Sequence, residues 1–347
     1  MARKIAIVLF NLGGPDGQAD VKPFLRNLFR DPAIIGAPGL IREFLAWLIS
    51  SRREKEAQAN YAKMGGGSPL LKETEKQAAA LEDHLNGSGS GDQVRAFIAM
   101  RYWSPFVADA VAQVEAWGAD EVVLLPLYPQ FSTTTTGSSL KAWAEAGGAP
   151  ARTICCYPEE AGFIEAHADL IRQGWEAAGR PANTRLLFSA HGLPERVIEA
   201  GDPYQFQVEQ TAKAVAALLP EIPDWSICFQ SRVGPLKWIG PSTDEAVVTA
   251  AREERHIVLS PIAFVSEHIE TLVELDEEYA ELAEATRPGT GYTRIPALGC
   301  ADGYIHALAD LVRQALAGPV GLKPPGGDRL CPADRTQCPC ALMETRL

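Results

Sequence analysis

Eight short apolar, β-branched runs, separated by stretches of helical periodicity, constrain the fold more than any other feature of the chain. Four lie in the first half, at Ile5 to Phe10, Val94 to Met100, Val122 to Pro126 and Thr153 to Cys156. Four more follow at Leu186 to Ser189, Trp225 to Phe229, Ile257 to Pro261 and Thr293 to Ala297. Apolar runs interleaved with helices form βαβ units around a parallel sheet covered on both faces. The pattern predicts an α/β protein of two similar doubly wound, Rossmann-like parallel-sheet domains, and 347 residues leave room for two cores of ordinary size. The expected division is an N-terminal domain over residues 1–157, a second domain over 158–303, a helix over 304–317 packing back on the first domain, and a linker and tail over 318–347. Gly318-Pro-Val-Gly and Pro324-Pro-Gly-Gly327 read as the linker, and Gly87-Ser-Gly-Ser-Gly91 as a flexible surface loop.

A formal net charge of -12 and the lack of a Lys/Arg cluster exclude nucleic acid and favour small-molecule partners. The N-terminal apolar run is too short for a secretory signal and has no cleavage site, so it reads as a strand; no stretch is long enough to span a bilayer. Seven cysteines without a disulfide framework point to the reducing cytoplasm. Leu40, Ile41, Phe44, Leu45, Trp47, Leu48 and Ile49 crowd a helical segment that ends in Arg52 and Arg53. That composition suits contact with a membrane surface, but the pattern alone favours an ordinary core-facing amphipathic helix. A dimer contact is the third use such a segment can have.

In an open parallel sheet, ligands bind at the carboxyl ends of the strands. Those ends carry Asn11-Leu-Gly-Gly, Arg101-Tyr102-Trp103, Tyr128-Pro-Gln-Phe131, His191, Gln230-Ser-Arg232 and Phe264 to Glu270, a set rich in aromatics that suits a large flat apolar ligand. A nucleotide is disfavoured, because no G-x-G-x-x-G follows the first strand and Gly65-Gly-Gly-Ser-Pro69 lacks a phosphate-loop lysine. His191 reads equally well as a catalytic base or as a hydrogen-bonded core histidine. Downstream, Ser266 reads as an N-cap, and Glu267, Glu270, Glu274 and Glu278 follow at helical spacing as a carboxylate ladder or a solvated acidic face. Carboxylates with imidazole suit a divalent cation and proton transfer. His268 and Glu270 do not share a face of a regular helix, so both enter one site only if the first turn is irregular or a large ligand spans them.

In order along nearly the whole chain, the segments Phe10-Asn-Leu-Gly-Gly-Pro15, Gly65-Gly-Gly-Ser-Pro69, Tyr128-Pro-Gln-Phe-Ser132, Thr135-Thr-Gly-Ser-Ser139, Phe188-Ser-Ala-His-Gly-Leu-Pro194, Gly201-Asp-Pro-Tyr204, Gln230-Ser-Arg-Val-Gly-Pro235, Trp238-Ile-Gly-Pro241 and Ser266-Glu-His-Ile-Glu-Thr-Leu272 resemble the ferrochelatases. The resemblance implies the class II chelatase fold, with a porphyrin in the cleft between the domains and ferrous iron as the second substrate. It implies that His191 is the essential histidine, that Glu270 faces it across the macrocycle, and that both meet the substrate iron. By the same resemblance Leu12, Arg101, Tyr102, Trp238, Phe264, Glu267, His268 and Glu274 are porphyrin-cleft residues. The expected reaction is insertion of ferrous iron into protoporphyrin IX to form protohaem, in the cytoplasm or peripherally on the inner face of the membrane through Leu40 to Ile49, with a homodimer a further expectation. The alternatives are a coproporphyrin ferrochelatase and a non-catalytic porphyrin- or haem-binding iron-sulfur protein. The tail, Cys331-x6-Cys338-x-Cys340, resembles that of ferrochelatases with a [2Fe-2S] cluster but departs from the animal spacing. The fourth animal ligand is replaced by Ala166, which leaves Cys156, with Cys155 as its alternative. Four thiolates also suit zinc, though the C-x2-C pairs usual for zinc are missing. Cys228 and Cys300 read as ordinary buried thiols.

Overall fold

Strands with no polar alternation must be covered on both faces, and the computed structural model covers them with helices. It describes residues 2–89, 91–232, 236–324 and 326–344. Ser90 of the surface loop, Val233–Pro235 of the sixth strand's motif, Pro325 of the linker and residues 345–347 of the tail lie outside the described residues. The chain divides into two compact units, one running to Cys155 and including Leu308–Gly327, the other covering Cys156–Ala307 and the chain from Asp328.

In chain order the first unit holds β1 (Lys4–Asn11), α1 (Val21–Arg30), α2 (Gly39–Lys63), α3 (Leu70–Asn86), β2 (Gln93–Met100), α4 (Val107–Trp117), β3 (Glu121–Pro126), α5 (Thr136–Glu145) and β4 (Arg152–Ile154). The second unit follows with α6 (Ala161–Ala177), β5 (Thr184–His191), α7 (Glu195–Glu199), α8 (Tyr204–Ala217), β6 (Trp225–Gln230), α9 (Thr243–Arg252), β7 (His256–Pro261), a π-helix (Glu270–Glu278), α10 (Tyr279–Thr286) and β8 (Tyr292–Arg294). Helix α11 (Asp302–Ala317) begins in the second unit and ends in the first. β9 (Gly321–Lys323) then returns to the first sheet, and α12 (Pro339–Glu344) closes the described tail.

Both sheets are wholly parallel, with orders β2-β1-β3-β4-β9 and β6-β5-β7-β8. The first four strands of each unit thus follow the same order, which reverses beside β1 and β5. At such a switch point the crossovers on either side leave opposite faces, so the strand ends border an open crevice. β1 illustrates why these runs are apolar throughout. Ala6, Val8 and Phe10 pack with Phe97, Val111, Leu124 and Trp143, while Ile5, Ile7 and Leu9 serve the other face at 1% exposure or less. Burial of each large aliphatic side chain is worth about 1.5–3 kcal/mol relative to leaving it in water. In the second unit Leu187, Cys228, Val247, Ile257 and Leu259 form a core that also receives Leu275 and Tyr279, so the π-helix region is anchored by its apolar side.

Four expectations are corrected. The Gly/Pro segment after α11 is not all linker: Gly321, Leu322 and Lys323 pair with Arg152, Thr153 and Ile154 as a fifth strand. Three residues offer no readable periodicity, and only a free sheet edge gives them partners. Ser266 does not cap a helix, because the helical backbone begins at Ile269, and Ser266 lies buried upstream of it. Cys300 is exposed, since the chain after β8 turns at the surface, whereas Cys228 is fully buried. Finally, α2 does not turn its apolar face to the core. Leu40 is 90% exposed, and Ile41, Phe44 and Trp47 are each at least half exposed. Among the large apolar residues of the first half of α2, the helix seats only their smaller neighbours fully: Ala46 and Ser50 are the buried residues of that stretch.

Candidate active site

β5 is flanked by β6 and β7, and its six residues from Leu186 to His191 pair with Trp225 to Gln230. Leu186 to Ala190 are buried, so at the carboxyl end of the strand His191 is the side chain that regains access to solvent, at 38% exposure. The chain must leave at once. Gly192 donates its N–H to the Gln230 carbonyl, and a Cβ there would meet that oxygen at 2.9 Å and the Trp238 indole at 3.3 Å. Trp238 is held over this turn by the bridge between its backbone and Pro194.

Beyond β7 the backbone runs through Phe264 and His268 into the π-helix. Its i→i+5 hydrogen bonds widen the turn, a geometry found mainly at functional sites. The irregular entry brings Glu270 to His191, with Nδ1 and Oε2 3.1 Å apart. An ionised carboxylate only accepts, so His191 donates from Nδ1, and in its neutral form keeps its lone pair on Nε2. Phe264 stands edge-on to both imidazoles, with its centroid 6.4 Å from that of His191 and 4.4 Å from that of His268.

One turn further, Glu274 accepts from Ser231 Oγ at 3.0 Å and from Gln230 Nε2 at 3.3 Å. Gln230 also receives the Ser189 hydroxyl at 2.7 Å and reaches the Glu270 carbonyl, tying β5 and β6 to the π-helix through one buried amide. Ser231 holds a left-handed backbone at φ 62°, unusual for a residue with a Cβ and a form of strain that clusters at functional sites.

The electrostatics follow from this packing. Burial raises the Glu274 pKa, the Glu270 charge raises it further, and together they push it up to about 8 against the Ser231 hydrogen bond. For His191 burial opposes the charged form, but the Glu270 charge, its hydrogen bond and then Glu274 outweigh burial and leave the pKa raised. His268 moves the other way, because burial dominates, and its Nδ1 accepts from the Thr271 N–H at 3.3 Å. One imidazole thus holds its proton more tightly than usual and the other less tightly.

Glu267 does not join this group. It pairs with Arg294 at 2.5 Å and accepts the Ala297 N–H at 2.9 Å, which lowers its pKa despite burial. Glu278 is exposed. The ladder read in the sequence therefore splits into a carboxylate paired with Arg294, a pair reaching His191 and Ser231, and a solvated end.

In the first unit, the chain leaving β1 and β2 continues in register, with the Arg101 N–H donating to the Asn11 carbonyl and that of Tyr102 to Leu12. Arg101 pairs with Asp31 at 2.8 Å and donates from Nε to Ser138 Oγ at 2.6 Å. Asp31 is buried and also accepts from the Ser138 and Tyr102 hydroxyls. Leu12 and Arg101 retain surface, whereas Tyr102 is 1% exposed and lies under the Arg101 guanidinium, 5.0 Å from its ring centroid. Tyr102 supports Arg101 rather than presenting a face of its own.

A second constellation lies in the second unit. Gln207, on α8, donates from Nε2 to Cys331 Sγ at 3.1 Å and to Cys156 Sγ at 3.4 Å. Cys338 accepts hydrogen bonds from the Cys331 and Cys340 thiols, which depresses its pKa and raises that of Cys331. Cys155 belongs to the first unit, where its N–H donates to Lys323 in β9. The tail is seated by protein contacts as well: Gln337 donates to the Gly201 carbonyl, and a Cβ on Gly201, at φ 98°, would strike Thr336 Oγ1 at 2.3 Å. Among the described residues no three His, Cys, Asp or Glu side chains are set as a finished metal cage. Asp31, Gln207 and Arg294 are not readable from sequence, because each acts through a partner remote in the chain. Gln207 lies three residues beyond the quoted Gly201-Asp-Pro-Tyr204 motif.

A carboxyl group whose pKa is raised on folding binds its proton more tightly in the folded state. The associated stability is complete below the ordinary value of 4.5 and is lost as pH rises through about 8. Glu274→Gln, which keeps the shape but cannot ionise, should therefore melt close to wild type at pH 4.5 and progressively above it as pH approaches about 9. Thermal melts across that range check this; a difference in Tm that stays flat would mean that Glu274 ionises like a surface carboxylate.

A family model described as Ferrochelatase matches residues 4–316. The chain is 60% identical over 342 residues to a ferrochelatase of Caulobacter vibrioides, covering 98% of each chain. It is 59% identical over 339 residues to a ferrochelatase of Phenylobacterium zucineum, covering 97% of this chain and 98% of that one. Among solved structures it is similar to SirB from Bacillus subtilis with Fe3+, with a TM-score of 0.52 and 13% identity over 91% of this chain and 96% of that one. At that identity the likeness is one of fold, and the fold is that of the class II chelatases. Because the family match runs through both sheets and through the segments that carry His191 and Glu270, the chain belongs to the ferrochelatases, lyases that insert ferrous iron into a porphyrin.

Proposed function

We propose that the porphyrin is protoporphyrin IX, as the family resemblance implies, and that His191 accepts the pyrrole protons, the second reading being carried by the hydrogen bond between its Nδ1 and Glu270. Insertion requires two protons to leave the ring nitrogens as iron enters. With Nδ1 committed to Glu270, Nε2 is the free base, and the carboxylate behind it stabilises the imidazolium that forms. Glu270 and Glu274 repel each other as anions, so near neutral pH the pair holds one proton, predominantly on Glu274. A proton delivered through His191 to Glu270 then displaces the one on Glu274, next to solvated Glu278. His191 and Glu270 are also the side chains we assign to the incoming iron. Trp238, Phe264 and His268 supply an aromatic wall beside them, and Leu12 and Arg101 are assigned to the porphyrin from the first unit, with the guanidinium directed to a carboxylate of the substrate. A purely redox protein has no use for the His191–Glu270–Glu274 sequence, nor does a carrier, which needs an axial ligand and no route for protons.

The tail fits a [2Fe-2S] cluster held by Cys156, Cys331, Cys338 and Cys340. Its support is the donor set, four thiols drawn together by one buried amide and by hydrogen bonds among themselves. Such a cluster supplies one-electron chemistry and ties the tail to the second unit, so that ligation energy becomes folding energy. The exposed face of α2 supports peripheral membrane contact: Leu40, Ile41, Phe44 and Trp47 form one apolar strip, with Arg52 and Arg53 following. No helix among the described residues is long and apolar enough to cross a membrane. A homodimer through the same strip is the second reading. The division of the chain at residues 157 and 303 is proposed on the same terms.

His191→Ala should leave a folded protein that binds porphyrin while kcat for metalation falls by about 10²- to 10⁴-fold. Anaerobic assays with protoporphyrin and coproporphyrin side by side test this and the choice of porphyrin together; a preference for coproporphyrin would overturn the latter.

Purified protein should be brown, with about two irons and acid-labile sulfide per chain. Serine at Cys156, Cys331, Cys338 or Cys340 should bleach it and lower its Tm, while serine at Cys228 or Cys300 keeps the colour. One zinc and no colour would reject the cluster.

Trp47→Glu should abolish most co-sedimentation with anionic lipid vesicles without changing the Tm. Wild-type protein that stays in the supernatant but runs as a dimer would assign the strip to self-association.

A further inference from the structure

Gln207 has no exposed surface, and its amide nitrogen faces two sulfurs that are far apart in the chain. A thiol sulfur is a weak acceptor. A buried amide that directs its two N–H groups at two neutral thiols gains little, whereas the same groups facing thiolates make charge-assisted hydrogen bonds, roughly twice as strong as neutral ones. The position of the amide is itself enforced. Thr211, one helical turn on, donates its hydroxyl to the Gln207 carbonyl at 3.0 Å and to the Pro158 carbonyl at 2.8 Å. That links the chain just after Cys156 to α8 at the turn that carries Gln207. The third fixed point is the seat of Gln337 and Thr336 on Gly201, three residues before α8 begins.

We propose that Gln207 is a positioning residue for the iron-sulfur cluster, its side-chain N–H groups bonding the ligand sulfurs of Cys156 and Cys331, registering these two remote ligands and raising the reduction potential. This rests on the cluster reading above. Hydrogen bonds to ligand sulfur withdraw charge from it and favour the reduced state, which carries one more electron; they also orient the ligands, as outer partners of metal sites do. Without the amide, the tail cysteines would rely on their own short loop and on Gly201 alone to meet Cys156.

The test is Gln207→Leu, which keeps volume and removes both donors, compared with wild type as holoprotein. We expect the brown colour and iron content to persist, the midpoint potential in a reductive titration to become more negative, and release of iron to a chelator to accelerate several-fold. Packing alone would not move the potential. A brown variant with an unchanged potential overturns this proposal and leaves the cluster reading intact, whereas wild-type protein without iron and sulfide overturns both. Should the leucine variant fail to fold, protein that keeps Gln207 but carries Gln337→Ala, labelled with 15N in the glutamine side chains, answers the same question by pulsed EPR of the reduced cluster. A 15N hyperfine coupling supports the assignment, and its absence overturns it.

Discussion

A strand buried on both faces can offer chemistry only at its ends, and the second unit is arranged around that constraint. β5 lies next to β6 and β7, so no side chain from Leu186 to Ala190 meets solvent. The close turn at Gly192, the indole laid over it and the amide of Gln230 all serve to end the strand abruptly with the imidazole facing outward. The π-helix brings its carboxylates to that point from the neighbouring strand while Leu275 and Tyr279 keep its other side in the core.

Placing two carboxylates and an imidazole in partly buried positions costs stability, and the cost is distributed in an ordered way. Glu270 has His191; Glu274 has Ser231 and Gln230 and keeps its proton well above the usual carboxylate range. Only Glu267 is neutralised outright, by an arginine that also pairs with Asp276. The result is a set of side chains of one type distinguished only by their surroundings, with Glu274 held above the usual carboxylate range and Glu267 below it.

The tail obeys a different logic. A segment of Pro, Gly and charged residues has too few apolar side chains to fold on its own, and it is held instead at discrete points: Gly201 for Thr336 and Gln337, and Gln207 for Cys331. The same α8 region therefore seats the tail and addresses Cys156. α2 shows the converse case, an element rich in apolar side chains that the fold leaves facing water at Leu40, Phe44 and Trp47.

Eight strands, their parallel pairing into two like sheets, and His191 at a strand end were readable from sequence, because burial on both faces imposes an unbroken apolar run and the run visibly stops. The family resemblance brought His191 and Glu270 to one site but set them on opposite sides of the macrocycle, whereas the structure joins them by a 3.1 Å hydrogen bond that leaves no room for a ring between them. Three-residue β9 was not readable, since it is a strand only where β4 offers an edge. Nor was the orientation of α2, because periodicity states that a helix has an apolar face but not what lies opposite it. The sequence by itself determined which residues could ionise, ligate or be buried. Tertiary structure decided which of four similar glutamates holds a proton and which thiols share an amide, because pKa and ligation depend on neighbours remote in the chain, such as Gln207 and Cys331, 124 positions apart.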